Sequence, residues 1–280
     1  MAKKLLIAFS LTLTLLLGGC GSMFYWPEQG LRGTPDQLGI EYQDVWLDTD
    51  TGIRLHGWLL PAKEQPARGL IYFLHGNAEN ISTHFAAMNW ITSHGRDLFI
   101  LDYRGFGLSQ GKPGIKGVQH DAYTGLLWSL AYASERKIPV VLFGQSIGAA
   151  TAATLASRAP EAARLAGVVL DSPFANYRQI TREKAAEHWL TWPLQYPLSW
   201  SFSNSYSPDK SMADLHIPVL LLHSCADQII GCHHSQQLYR LANEPKQYWQ
   251  DYSAPHIAML NQLNWRRKLL SWLDELGPGL

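Results

Sequence analysis

The sequence predicts an α/β fold, in which helices cover both faces of a mostly parallel central sheet. Short apolar segments rich in β-branched residues alternate along the chain with longer segments of helical periodicity. This alternation is typical of strand–helix–strand units, and a hairpin pattern before them adds an antiparallel beginning. At 280 residues, 46% of them hydrophobic, the chain is long enough for one well-packed domain and short for two.

The N-terminus has the pattern of a bacterial export signal. Two lysines precede an apolar run that ends at Leu17 and is shorter than the about 20 residues of a membrane-spanning helix. The sequence Gly18-Gly19-Cys20 resembles the lipoprotein cleavage box, in which the cysteine becomes the lipid-modified first residue. We expect residues 1–19 to be a signal peptide, residues 20–40 a tether and N-terminal arm, and Cys20 the lipidation site.

The residues after Cys20 bear on the compartment. Gly21 stands where an aspartate would favour retention in the inner membrane of enteric bacteria. By this resemblance we expect a lipid-anchored protein of the bacterial cell envelope, at the outer membrane and facing the periplasm. In that oxidising compartment the two remaining cysteines, Cys225 and Cys232, suggest a disulfide that closes a small loop. Two free thiols are the alternative.

The elements follow in order along residues 41–280, the predicted catalytic domain. Residues 42–48 and 53–60 flank a Thr-Asp-Thr-Gly turn and predict a hairpin. Further strands are predicted over residues 69–74, 97–101, 139–143, 166–170, 219–222 and 247–252. Helices are predicted over residues 81–93, 118–134, 149–156, 234–241 and 257–273.

The pentapeptide Gly144-Gln145-Ser146-Ile147-Gly148 lies between a predicted strand and a helix of small residues. Strand, G-x-S-x-G and helix together are typical of a nucleophile elbow, which exposes the serine hydroxyl above the sheet. The N–H of Ile147 then lies at a helix N-terminus, where it can stabilise an oxyanion. A second G-x-S-x-G surrounds Ser109, but Lys112-Pro113-Gly114 follows it and prevents a helix there. The context therefore selects Ser146.

A serine nucleophile needs a histidine base that is oriented by a carboxylate. In elbow folds these partners follow in the order serine, acid, histidine. His256 comes directly after the last predicted strand, and Asp227 lies in the loop after the strand before it. Asp171 also ends a strand and is the main rival for the acid, whereas we interpret Asp102 as structural.

The loop after the third predicted strand contains His75-Gly76-Asn77. In elbow folds this loop supplies the second oxyanion N–H. Asn77 and Ala78 are both candidates for that donor, and we interpret His75 as structural.

Residues 176–214 interrupt the alternation of strands and helices. Long insertions of this kind are usually functional or disordered, and a plain exposed loop would not carry so many aromatic residues. They are Trp189, Trp192, Tyr196, Trp200 and Phe202. We expect a short lid insertion over the site.

These motifs together resemble the α/β-hydrolases, and in particular the serine-aminopeptidase-like branch, which includes bacterial lipoproteins. The matching positions are residues 75–77, 102–107, 144–148 and 171–174 with Asp227 and His256. The resemblance extends from about Tyr25 to the C-terminus. It implies an α/β-hydrolase fold with Ser146 as nucleophile, His256 as base, Asp227 as its orienter, and Ile147 and Asn77 as oxyanion donors.

We expect a serine hydrolase that cleaves a carboxylic ester through an acyl-enzyme and needs no cofactor. The aromatic insertion and the lipid anchor favour a small-molecule substrate with an apolar, lipid-like acyl group. A peptidase or amidase of the same fold is the first alternative, and a non-catalytic envelope lipoprotein that uses the fold as an interaction module is the second. Lys plus Arg equals Asp plus Glu at 23 each, so no charge excess recruits nucleic acid.

A metal site is a further alternative, because five metal-binding side chains cluster in the sequence. They are His223, Cys225, Cys232, His233 and His234. Their spacing matches neither a zinc finger nor a H-E-x-x-H motif, so we expect no metal.

Overall fold

An eight-stranded sheet forms the centre of residues 20–276, the part of the chain that the computed structural model describes. The predicted signal peptide lies outside this part, and the side chain of Cys20 is not described either. Within it, no helix has both the length and the apolar character needed to cross a bilayer. The strands are β1 (Trp26–Pro27), β2 (Gln43–Asp48), β3 (Arg54–Leu60), β4 (Leu70–Leu74), β5 (Ala78–Glu79), β6 (Asp97–Leu101), β7 (Val140–Gln145), β8 (Gly167–Asp171), β9 (Val219–Ser224) and β10 (Lys246–Asp251).

The strand order in the main sheet is β10-β9-β8-β7-β4-β6-β3-β2. The predicted hairpin is confirmed, since β2 and β3 pair antiparallel, and β3 also pairs antiparallel with β6. All other pairs in this sheet are parallel. The carboxyl ends of β4, β7, β8, β9 and β10 therefore lie at one edge, which is where ligands bind in open α/β sheets.

Helices cover both faces of the sheet, as predicted. The described α-helices are α1 (Ile81–His84), α2 (Ile115–Arg136), α3 (Ile147–Arg158), α4 (Tyr177–Ala186), α5 (Gln195–Trp200), α6 (His233–Leu241) and α7 (Leu263–Glu275). Alternate residues of β4 enter different clusters: Tyr72 packs with residues of α2 and α3, whereas Phe73 packs with residues of α7. Because successive strand residues point to opposite faces, these clusters are the two sides of one sheet.

Two predicted helices were wrong in extent. Over residues 81–93 only α1 is α-helical, and two 3₁₀ turns follow. Thr83 and Thr92 donate their hydroxyls to the carbonyls of Asn80 and Asn89, and such side-chain bonds compete with regular helix. The last helix begins at Leu263 rather than at residue 257, because Ile257 has a left-handed φ of +51°.

Glycines on both sides of Ser146 permit the close contact between β7, α3 and the neighbouring β4. A Cβ at Gly144 would collide with the backbone of Gly148, and a Cβ at Gly148 would collide with the carbonyl oxygens of Leu74 and His75. All of these atoms belong to the backbone of the central sheet and of α3, so they cannot move aside cheaply. The elbow therefore requires glycine at both positions.

We predict that Gly148→Ala destabilises the fold by about 2 to 3 kcal/mol, because the new methyl group overpacks against backbone. Gly114→Ala is the matched control, since a Cβ at that position meets nothing within 4 Å and its φ of −174° suits any residue. Urea unfolding of both variants measures the difference. Equal stability of the two variants would contradict this account of the elbow.

Candidate active site

Ser146 lies in the turn between β7 and α3 with φ +56° and ψ −119°. This is a conformation that a residue with a Cβ adopts only when its surroundings enforce it. The Ser146 N–H donates to the Asp171 carbonyl at 2.8 Å, which fixes the turn to the neighbouring strand. Among residues 20–276 no group hydrogen-bonds the Ser146 hydroxyl, so this hydroxyl holds no other part of the described structure in place.

His256 and Asp227 form a hydrogen-bonded pair in the loops after β10 and β9. Nδ1 of His256 lies 2.6 Å from Oδ2 of Asp227. The other carboxylate oxygen accepts the N–H groups of Ile229 and Ile230 at 2.8 and 3.0 Å. With its proton held on Nδ1, the imidazole keeps Nε2 as the nitrogen that can take up a proton.

A second histidine supports Asp227 from the protein interior. His223 is fully buried, and its Nε2 lies 3.3 Å from Oδ2 of Asp227 and 2.9 Å from the Ile230 carbonyl. Burial raises the pKa of Asp227, but the hydrogen bonds from His223 and His256 outweigh it and hold the pKa well below its ordinary value. Asp227 is therefore anionic at neutral pH and can stabilise an imidazolium on His256.

The rival residues have other partners. Asp171 is buried, and its oxygens accept hydrogen bonds from Gln145 and Ser172, both at 3.0 Å. Burial raises its pKa, and within the described residues it makes no hydrogen bond to His256. Ser109 of the second G-x-S-x-G donates to the Asp102 carbonyl at 2.8 Å and accepts the His56 N–H at 2.9 Å. The Ser109 hydroxyl therefore links its own loop to β3 and to the end of β6 by hydrogen bonds.

The two proposed oxyanion donors lie on either side of Ser146. Ile147 is the first residue of α3, so its N–H has no partner within the helix. Asn77 follows β4 and lines the same cavity as Ser146, Ile147 and His256. Ala78, the other candidate, belongs to β5 and pairs with Trp26. Among the described residues that line the cavity, Asn77 is present and Ala78 is not, which favours Asn77; its role stays a prediction.

Two buried ionisable side chains, His75 and Asp102, lie beneath the loop that carries Asn77. His75 is fully buried; its Nδ1 donates to the Gly76 carbonyl at 2.8 Å, and its Nε2 lies 3.4 Å from Oδ1 of Asp102. The same oxygen accepts the Ile81 N–H at 3.0 Å. Burial raises the pKa of Asp102 to about 7 and lowers that of His75 to about 4. Asp102 therefore keeps its proton to a higher pH than an ordinary carboxyl group, and His75 stays neutral to a lower pH than an ordinary imidazole.

A cavity of about 450 Å³ is lined by Ser146, His256, Ile147 and Asn77. Its walls come from three parts of the chain: the insertion, the loop with Ile229 and Ile230, and the N-terminal arm. The arm contributes Phe24, whose ring packs on those of Phe174, Tyr177 and Phe202 at centroid distances of 6.3, 5.0 and 4.8 Å.

Sequence reasoning missed the arm as part of the site. The Trp26 N–H donates to the Asn77 carbonyl at 2.8 Å, and β1 pairs parallel with β5. The arm therefore holds the loop that carries the proposed oxyanion donor. The aromatic run Phe24-Tyr25-Trp26 was the available signal, but its partners lie about 50 residues or more away in the sequence.

The candidate metal ligands are otherwise engaged. Cys225 and Cys232 are joined in a disulfide, so neither offers a thiolate. His233 and His234 approach Glu183 at 3.1 and 2.8 Å. However, Nδ1 of His234 accepts the Ala175 N–H at 3.2 Å, so its Nε2 carries the proton that it donates to Glu183. A protonated nitrogen has no lone pair for a metal. Glu183, His233 and His234 are therefore better described as a hydrogen-bonded link between α4 and α6.

The chain matches known proteins over most of its length. Residues 65–214 match the family model of the serine aminopeptidase, S33, family (Hydrolase_4). The chain is 33% identical over 229 residues to Uncharacterized protein YfhR of Escherichia coli (strain K12), a match that covers 80% of this chain and 76% of that protein.

Solved structures share the fold. The esterase Pf2001 of Pyrococcus furiosus superposes with a TM-score of 0.72 and 21% identity, covering 90% of this chain and 98% of that one. The acylaminoacyl peptidase of Pyrococcus horikoshii superposes with a TM-score of 0.67 and 12% identity, covering 85% and 42%. At these identities the likeness concerns the fold, which both an esterase and a peptidase adopt.

We predict that Asp227→Asn lowers kcat on a soluble ester by roughly 10⁴-fold with little change in KM, because the amide cannot stabilise the imidazolium or fix its tautomer. Asp171→Asn is the matched control and should retain most of the activity. Steady-state kinetics on both variants decide the question, and a larger loss in the Asp171 variant would make Asp171 the acid.

We also predict a pH dependence of stability from Asp102. Its pKa is raised to about 7 in the folded state, so its contribution is fully present below pH 4 and is lost as the pH rises through 7. Asp102→Asn cannot ionise, and its amide oxygen can still accept the Ile81 N–H. The unfolding free energy of this variant should therefore rise relative to that of the wild type between pH 4 and 8. Urea unfolding at several pH values tests this, and a constant difference would contradict it.

Proposed function

Because the chain belongs to the serine aminopeptidase S33 family of α/β-hydrolases, we propose that this hydrolase cleaves carboxylic esters through an acyl-enzyme on Ser146. One observation carries the proposal: Ser146 and His256 line one cavity with largely apolar walls, and Asp227 hydrogen-bonds His256. A nucleophile, a base and an oriented carboxylate are the groups that acyl transfer needs.

In the proposed mechanism His256 takes the Ser146 proton as Oγ attacks the ester carbonyl carbon. The N–H groups of Ile147 and Asn77 stabilise the resulting oxyanion, a contribution of about 3 kcal/mol per donor in comparable sites. The tetrahedral intermediate collapses, and the alcohol leaves with the proton from His256. Water, deprotonated by the same histidine, then attacks the acyl-serine. As this second intermediate collapses, His256 gives the proton to Oγ of Ser146 and the carboxylic acid is released. Asp227 stabilises the imidazolium in both steps.

The walls of the cavity support an apolar acyl group over a peptide. Aromatic and aliphatic side chains such as Phe24, Ile180 and Phe202 predominate in them. Among the described residues that line the cavity there is no aspartate or glutamate, whereas a peptidase that holds a free amino terminus would use a carboxylate. A peptidase or amidase is therefore the less supported alternative.

We propose that the mature chain is anchored by a lipid on Cys20 in the bacterial envelope, at the outer membrane and facing the periplasm. The lipoprotein box around Cys20 supports this. The Cys225–Cys232 disulfide is consistent with an oxidising compartment. No palmitate labelling of the wild type, or unchanged labelling of Cys20→Ala, would contradict it.

Labelling with a fluorophosphonate probe tests the proposed nucleophile. The wild type should be labelled, Ser146→Ala and His256→Ala should not, and Ser109→Ala should still be, since Ser109 holds a loop. Circular dichroism verifies that each variant is folded. A folded wild type that reacts neither with the probe nor with p-nitrophenyl esters would favour the interaction module, and labelling that depends on Ser109 would refute the elbow at Ser146.

The acyl preference needs a second comparison. We expect p-nitrophenyl esters to be cleaved faster as the acyl chain lengthens from two to about eight carbons, because the apolar walls bury added methylenes. The matching p-nitroanilides should be poor substrates. Faster turnover of aminoacyl anilides than of any ester would make the protein a peptidase.

A further inference from the structure

Large apolar side chains are exposed around the mouth of the active-site cavity. We call them the rim; they are Met23, Trp26, Trp189, Leu190, Trp192 and Trp200, which are 56 to 83% exposed. Exposed tryptophans in this number are unusual for a surface that meets only water. The rim therefore has the composition of a surface that binds an apolar partner.

The rim belongs to the mouth and not to a remote face. His188 and Thr191 line the cavity, and the sequence between and after them is Trp189, Leu190 and Trp192. Leu198 and Phe202 also line it and lie two residues on either side of Trp200. Met23 and Trp26 line the cavity themselves while remaining largely exposed. A partner that covers the rim would therefore cover the entrance to Ser146.

The arm fixes where the proposed lipid must lie. Phe24 is packed in the cavity wall, and the backbone of Trp26 is bonded to Asn77. A single 3₁₀ helix connects Cys20 to Phe24. At a rise of about 2.0 Å per residue, Cys20 lies roughly 8 Å along the chain from the wall of the cavity. A lipid on Cys20 would therefore be attached to the chain close to the cavity wall.

Composition indicates the kind of partner. Tryptophan concentrates at the boundary between lipid headgroups and acyl chains, where its ring is apolar and its N–H is wet. Without residues 1–19, which hold Lys3 and Lys4, the chain has 21 basic and 23 acidic residues, so it offers no basic excess to attract anionic lipids. From the rim and the position of Cys20 we propose that the rim docks on a phospholipid bilayer and that the site takes its ester from that bilayer, as an acyl ester of a membrane glycerolipid. This inference rests on the proposed ester hydrolysis.

Vesicle binding without the lipid anchor tests the docking surface. Residues 20–280 with Cys20→Ser are suitable, because both hydrophobic clusters consist of residues beyond Ser22. This protein should co-sediment with phosphatidylcholine vesicles, also in 0.5 M salt, since apolar contact is not screened. Replacing Trp189, Trp192 and Trp200 together by serine should lower the partition coefficient by about tenfold or more.

A matched triple variant controls for the loss of exposed apolar surface in general. Leu38, Leu127 and Leu263 are 66, 41 and 64% exposed and do not line the cavity. Their joint replacement by serine should leave vesicle binding unchanged. Equal losses in the two triple variants would overturn the assignment of binding to the rim.

Activity separates docking from chemistry. The tryptophan variant should hydrolyse soluble p-nitrophenyl butyrate as the wild type does, and vesicle-borne phosphatidylcholine at least tenfold more slowly. Soluble turnover without vesicle binding by the anchorless wild type would overturn the docking and leave the proposed function intact. Vesicle binding without any ester turnover would overturn the proposed ester hydrolysis and leave the docking surface intact. The anchorless wild type could instead form a dimer and not bind vesicles. If the tryptophan variant abolished that dimer, a second copy of the chain would be the partner of the rim, and the proposed docking on a bilayer would be refuted.

Discussion

The contact between Gly148 and the carbonyl oxygens of Leu74 and His75 is the constraint on which the site depends. It brings the N-terminus of α3 against the carboxyl end of β4, and no side chain would fit between them. The first N–H of α3 therefore lies near the loop after β4, so donors from two elements can converge on one oxyanion. The close turn forces Ser146 to adopt a positive φ, which costs conformational free energy. The packing of α3 between the strands and α2 offsets this cost.

The loop that carries Asn77 is held from two further sides. Beneath it, Asp102 accepts the Ile81 N–H and approaches His75, and the Tyr103 hydroxyl donates to the His75 carbonyl at 3.0 Å. Above it, the arm pairs with β5, and the side chain of Asn80 donates to the carbonyls of Glu28 and Gly30. A preorganised donor needs such support, because an oxyanion hole loses its effect when it must rearrange during the reaction.

Local patterns predicted what is local in the structure. The eight strands of the main sheet were predicted to within about two residues, because buried strands have short continuous apolar sequences. The two short strands β1 and β5 were not predicted. The order of Ser146, Asp227 and His256 follows from the strand ends. Contacts between distant segments were beyond the sequence. Nothing near His223 in the chain indicates that its ring lies against Asp227, and spacing left the pairing of Cys225 with Cys232 open. The sequence predicted an N-terminal arm but not its hydrogen bond to Asn77, because this bond joins two segments that come together only in the folded chain.

The candidate catalytic residues are held by buried contacts, whereas the cavity walls come largely from the arm and the insertion. This difference bears on how the site can work at a membrane. Ser146 and Ile147 are fixed by buried backbone contacts. Asp227 is fixed by two backbone N–H groups and by His223, inside a loop that the Cys225–Cys232 disulfide closes. The cavity walls, in contrast, come largely from the arm and the insertion, whose outer residues include the exposed tryptophans. Contact with a bilayer would therefore act first on the walls that are proposed to receive the acyl chain, while the proposed catalytic groups keep their geometry.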